Sequence, residues 1–156
     1  AVTETEAETA VETMRRLERA ERTTGLIERS PTVGPEEAIA QQRDSDALLQ
    51  LALSGRKGYL PVKFLEYFGA NRPIILLSDG TDEMEEALTT TRTGTIVRDK
   101  AALVAHLMDH LRAHEAGHAL PFHPDEEALR SFDYAANMDR WADLIGAALR
   151  NREARA

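Results

Sequence analysis

Apolar positions recur along this chain with two different periods. Ala7, Ala10, Val11, Met14 and Leu17 repeat at helical spacing, with glutamates early and arginines late. That pattern predicts a helix over 1–22 whose charges suit the helix dipole. Gly25 stops it, and Leu26-Ile27-Glu28 reads as a short strand. A turn-rich loop, SPTVGP, leads to a Pro35-led helix ending near residue 44, with Glu36 and Glu37 in its first turn. DALLQLAL, 46–53, is an almost unbroken apolar run of strand length, as in parallel strands buried on both faces. A glycine-rich loop and a helix over 61–70 follow. PIILL, 73–77, is the clearest buried strand. An acidic helix over 81–90, a strand GTIV at 94–97 and a long helix over 99–116 come next, the last ended by Gly117. After a loop at 118–124, a final helix over 134–150 carries Trp141, Leu144, Ile145 and Leu149 on one face, which reads as a core face.

Strand and helix alternate without a hairpin signal between them. This predicts an α/β fold, a parallel sheet of about four strands (26–28, 46–53, 73–77, 94–97) covered by helices. An N-terminal helix (1–24), one domain (25–150) and a short tail (151–156) are the expected divisions.

Composition narrows the function classes. The chain has 156 residues and a net charge of −8, which disfavours nucleic acid as main partner. Arg56, Lys57 and Lys63 nevertheless form a local basic cluster. The absence of cysteine excludes disulfides, thiolate metal sites and cysteine nucleophiles, and fits a reducing, cytoplasmic setting. No apolar run reaches the about 18 residues that a membrane span needs. The chain starts with Ala1 rather than Met, so a processed end or an excised piece is expected.

The chemistry concentrates at 54–70. In open parallel sheets ligands bind outside the carboxyl ends of the strands, where the loop after 46–53 lies. Gly55 and Gly58 allow backbone N–H groups close to an anion. Pro61 suits the first helical position, which aims the helix start into the same space. Lys63 adds charge, and Glu66 sits one turn on along the same face. Glu66 is about 7 Å from Pro61 along the helix axis, close to the distance between a phosphate and the ribose of one nucleotide. A carboxylate can accept from two vicinal hydroxyls. An anion site with a ribose clamp beyond it describes a nucleoside-diphosphate site; a solvated Lys–Glu surface pair is the plainer alternative.

DALLQLALSGRKGYLPVKFLEYFGANRPIILL resembles the donor-binding half of group 1 glycosyltransferases, enzymes of the two-domain GT-B fold. Asp46, Ala47, Gly58, Pro61, Lys63, Glu66, Tyr67, Arg72 and Pro73 occupy matching places. The resemblance extends to TVGPEEAIAQQRDSDALL before it, and to SDGTDEMEEALTTTRTGTIV and FDYAANMDRWADLIGAAL after it, about residues 25–150. It implies a Rossmann-like sheet flanked by helices, half of a GT-B fold, in a cytoplasmic bacterial enzyme. That enzyme would transfer a sugar from a nucleoside-diphosphate sugar to an unidentified acceptor, without metal or other cofactor. Glu66 would bind the donor ribose. Gly58, Tyr59 and Leu60, with Lys63, would face the diphosphate, and Val33, Gly34 and Pro35 would lie near the base.

Two departures matter. Many relatives carry a second glutamate eight residues before the ribose-binding one, where this chain has Gly58. The family's donor domain also opens with two strand–helix units that residues 1–24 do not match, and the acceptor domain is missing. The implied partners are thus the donor and an N-terminal acceptor domain, with self-association of this piece, which would be inactive alone. Membrane contact would be at most peripheral, through the full-length enzyme.

His114-Glu115-Ala116-Gly117-His118 offers a competing reading. It satisfies H-E-x-x-H, in which His114 and His118 would hold zinc beside the general base Glu115. Gly117 and Pro121 argue that the helix ends within or just after the motif, and a third ligand could come only from His123 or Asp125. Incidental affinity for nickel or zinc is the milder expectation, since all five histidines fall between 106 and 123. His106, His110 and His114 climb the edge of a face made by Leu103, Leu107 and Leu111. A non-catalytic α/β interaction module is the third reading. The acidic run Asp82, Glu83, Glu85 and Glu86 reads as a solvated helix face, with Glu83 a weak candidate for sugar contact by the resemblance.

Overall fold

The computed structural model describes residues 27–52, 59–80, 83–118 and 121–153, with positions 12, 15, 16, 18, 19, 22, 24 and 25 nearer the start. The chain forms two compact units, Ala1–Ala38 and Ile39–Ala156. In the first, positions 12, 15, 16, 18, 19, 22 and 24 are helical, and Arg16 Nε donates to Glu12 Oε1 at 3.1 Å, one turn away. Ile27 and Glu28 belong to no strand, contrary to the expectation for 26–28; Leu26 lies outside the described residues. A three-residue segment offers few ladder bonds to offset the entropy of ordering it. Helix α1, Pro35–Asp44, starts as Pro35 predicts, with Ala38 N donating to Gly34 O at 2.9 Å. The division between the units falls inside it.

The second unit runs β1 Leu48–Leu51, α2 Val62–Ala70, β2 Ile74–Leu77, α3 Glu83–Thr91, β3 Gly94–Val97, α4 Lys100–Glu115, α5 Glu126–Arg130 and α6 Tyr134–Glu153. Among the described residues the sheet has three strands, not four, in the order β1-β2-β3. All pairs are parallel, with Leu48 opposite Ile74 and Ile74 opposite Gly94.

The central strand carries the core. Ile74 and Leu76 of β2 pack with Phe64 of α2 and with Met84, Ala87 and Leu88 of α3. Phe68 meets Phe64 and Phe132 edge to face, with ring centroids 5.0 and 5.1 Å apart, which joins α2 to the chain after α5. β1 departs from the reading of a strand buried on both faces. Leu48 is buried, but Leu49 and Leu51 are 47% and 54% exposed, because β1 is an edge strand with one face uncovered.

Three turns set the geometry. Asn71, at φ 55°, ends α2 in the left-handed region that asparagine tolerates. Gly94 begins β3 against the backbone of β2; a Cβ there would lie 2.7 Å from the Ile74 carbonyl carbon and nearer still to its oxygen. Asp125 accepts from Ala128 N at 3.0 Å as the α5 cap. It also takes an ion pair from Arg92 at 3.1 Å, and its own N–H donates to Thr91 O at 2.7 Å. This ties α5 to the end of α3. Helix α5 lies between the expected loop and final helix, and Asp125 followed by Glu126 and Glu127 is its start signal.

Helix α4 buries none of its residues. The expected core face of α6 is also uncovered: Trp141, Leu144 and Ile145 are 59%, 63% and 57% exposed. Among the described residues, no helix is long and apolar enough to cross a membrane.

Candidate functional site

The segments that follow β1, β2 and β3 leave the same end of a parallel sheet, so α2 begins at its carboxyl end. Gly58 and the rest of the 53–58 loop lie outside the described residues. Tyr59 is exposed, and Leu60 is half-buried against the core, anchoring the exit of the loop. Pro61 is the N-cap rather than the first helical residue. Its backbone is extended, at φ −60° and ψ 140°, and its carbonyl accepts from Phe64 N at 3.0 Å and Leu65 N at 3.2 Å. No side chain caps this helix. With Phe64 N and Leu65 N bonded to Pro61 O, the N–H groups of Val62 and Lys63 are the two without an acceptor inside the helix, at the positive end of its dipole.

Lys63 Nζ lies 3.2 Å from Glu66 Oε2, with the two side chains 51% and 41% exposed. A pair this solvated is worth about 0–1 kcal/mol, so a ligand can separate its members at little cost. Val33, Gly34 and Pro35 belong to the first unit. There Val33 is half-buried and Gly34 and Pro35 are exposed.

A second cluster, not expected from the sequence, lies at the carboxyl end. Ser78 follows β2 and Arg98 follows β3; both reach Glu85 of α3. Ser78 Oγ donates to Glu85 Oε1 at 2.6 Å. Arg98 Nη2 donates to Oε2 at 2.9 Å, while Nη1 donates to Oε1. Glu85 is only 7% exposed, so the expectation of a solvated acidic face fails at this position. The Arg98 guanidinium holds its carboxyl below the ordinary range; burial opposes that shift and the Ser78 hydroxyl assists it. Arg98 is charge-matched by Glu85, so the cluster clamps α3 to the ends of β2 and β3 rather than forming an open anion site. Its signal in the sequence was the place of Glu85 among Met84, Ala87 and Leu88 on one buried stripe.

HEAGH does not stay on one helix. Gly117 adopts φ 71°, Gly117 N donates to His114 O at 2.9 Å and His118 N to Ala113 O at 2.8 Å. This is the Schellman ending of α4. It turns the chain away after Ala116, so His118 is not one helical turn above His114 on a common face. Among the described residues, no three His, Cys, Asp or Glu side chains converge to hold a metal.

A cleft of about 710 Å³ opens at the opposite, amino end of the strands, where Asp46, Arg72, His110, His114, His118 and Phe122 line it. Volume favours this end. The carboxyl end is where strand-following loops converge in open parallel sheets, and it holds the uncapped helix start with Lys63 and Glu66. No protein-family profile, curated protein or solved structure is found to match this chain.

Proposed function

We propose that the chain is the donor-binding domain of a nucleotide-sugar glycosyltransferase, a reading that rests on its resemblance to group 1 enzymes. One observation carries it beyond the sequence: α2 starts uncapped at the carboxyl end of a parallel sheet and presents Lys63 and Glu66 on one exposed face. In this reading the N–H groups of Val62 and Lys63 and the Lys63 ammonium hold the diphosphate, and Glu66 accepts from the ribose hydroxyls. Binding so arranged stabilises the charge that grows on the leaving diphosphate during transfer. Tyr59 and Leu60 shape the near wall. The exposed stripe of α6 then faces the acceptor domain, without which the chain transfers no sugar.

The zinc-peptidase alternative draws no support from the broken HEAGH helix. Calorimetric titration with uridine, guanosine and adenosine diphosphates tests the proposal. It requires saturable one-to-one binding of at least one of them, and weaker binding of the matching monophosphate. No binding of any nucleoside diphosphate would overturn it.

A further inference from the structure

His106 and His110 stand one turn apart on α4 with their Nε2 atoms 3.0 Å apart. Their rings meet at 64° with centroids separated by 4.6 Å. One ring donates from Nε2 to the other's Nε2, an imidazole–imidazole hydrogen bond on a helix that buries none of its residues. The pair does not belong to HEAGH, which begins four residues later and breaks at its cap.

We propose that His106 and His110 form a chelating site for a divalent transition-metal ion, taking Cu²⁺ or Ni²⁺ in preference to Zn²⁺. Bonds of about 2.0–2.1 Å at about 90° place two nitrogens about 2.9 Å apart, and at about 109° about 3.3 Å. The observed 3.0 Å is nearer the square or octahedral bite, the geometry of Cu²⁺ and Ni²⁺. A metal ion replaces the hydrogen bond between the rings: with both protons on Nδ1, each Nε2 presents its lone pair. Among the described residues no third side chain converges on the pair, so water completes the coordination. Asp46 lines the neighbouring cleft with His110 and supplies negative charge outside the first coordination sphere. Bound metal would staple one turn of a helix whose own packing is thin.

The test is calorimetric titration of the untagged full chain with Ni²⁺ and with Zn²⁺, repeated on His106→Gln, His110→Gln, His114→Gln and His118→Gln. Circular dichroism confirms that each variant keeps its helix. The expected result is one Ni²⁺ per chain, bound more tightly than Zn²⁺. The second imidazole acts intramolecularly, so losing either His106 or His110 weakens binding about tenfold or more. His114→Gln and His118→Gln leave it unchanged. Absence of saturable binding, or binding that survives His106→Gln and falls with His118→Gln, overturns the site.

Discussion

Arg98 grips both carboxylate oxygens of Glu85, and Ser78 adds a third hydrogen bond from the end of the neighbouring strand. One buried carboxylate thus joins α3, β2 and β3. Glu85→Ala strands a guanidinium that is half-exposed and can regain water, so the cost stays below that of a fully buried pair. We expect a loss of about 1–3 kcal/mol in urea unfolding. The pH dependence has a definite sign. The folded-state pKa of Glu85 lies below its ordinary 4.5, so its contribution is complete above 4.5 and disappears as pH falls through the lowered value. Wild type should lose more stability than Glu85→Ala between neutral pH and that acid window. Parallel pH profiles of the two proteins would contradict the clamp.

Gly94 admits no side chain. Its missing Cβ would fall onto the Ile74 carbonyl, and backbone on a central strand cannot move aside as a flexible side chain would. Gly94→Ala should destabilise the sheet by about 3 kcal/mol or more. Gly69, whose Cβ would meet nothing within 4 Å, is the control, and Gly69→Ala should be neutral or stabilising. Equal thermal midpoints for the two variants would show that β3 does not pack on β2 in this register.

The α6 stripe should drive self-association. Met138, Trp141, Leu144 and Ile145 lie within two turns of one helix and all are exposed, and among the described residues β1 adds an unpaired strand edge with Leu49 and Leu51 uncovered. Sedimentation at several concentrations should show mass rising with concentration. Trp141→Glu with Leu144→Glu should weaken association by about ten- to hundredfold. A chain that sediments as a monomer throughout would contradict this.

Much of the second unit was legible because its elements combine a clear period with a clear stop. β2 and β3 fall where PIILL and GTIV predict, and α4 ends on Gly117. What sequence could not supply was which faces find partners. DALLQLAL is apolar enough for a central strand, yet β1 sits at an edge and leaves Leu49 and Leu51 in solvent. Trp141 and its neighbours have core periodicity, yet nothing described covers them. Glu85 failed in the opposite direction: its type predicts solvent, and only the meeting of α3 with Arg98 and Ser78 buries it. In the site, the placement of Lys63 and Glu66 on one face followed from helical spacing alone, while the His106–His110 pairing depends on rotamers that spacing does not specify.

The proposed donor site requires that Glu66 read a ribose. The measurement is a thermodynamic cycle: wild type and Glu66→Ala, each titrated with a nucleoside diphosphate and with its 2′,3′-dideoxy counterpart. A carboxylate accepting from both hydroxyls contributes about 1.5–3 kcal/mol, so wild type should prefer the ribose form by roughly ten- to hundredfold. Glu66→Ala should lose that preference and bind the two forms alike. Equal affinity of wild type for both nucleotides, or a preference that survives Glu66→Ala, would contradict the ribose clamp and the donor site built around it.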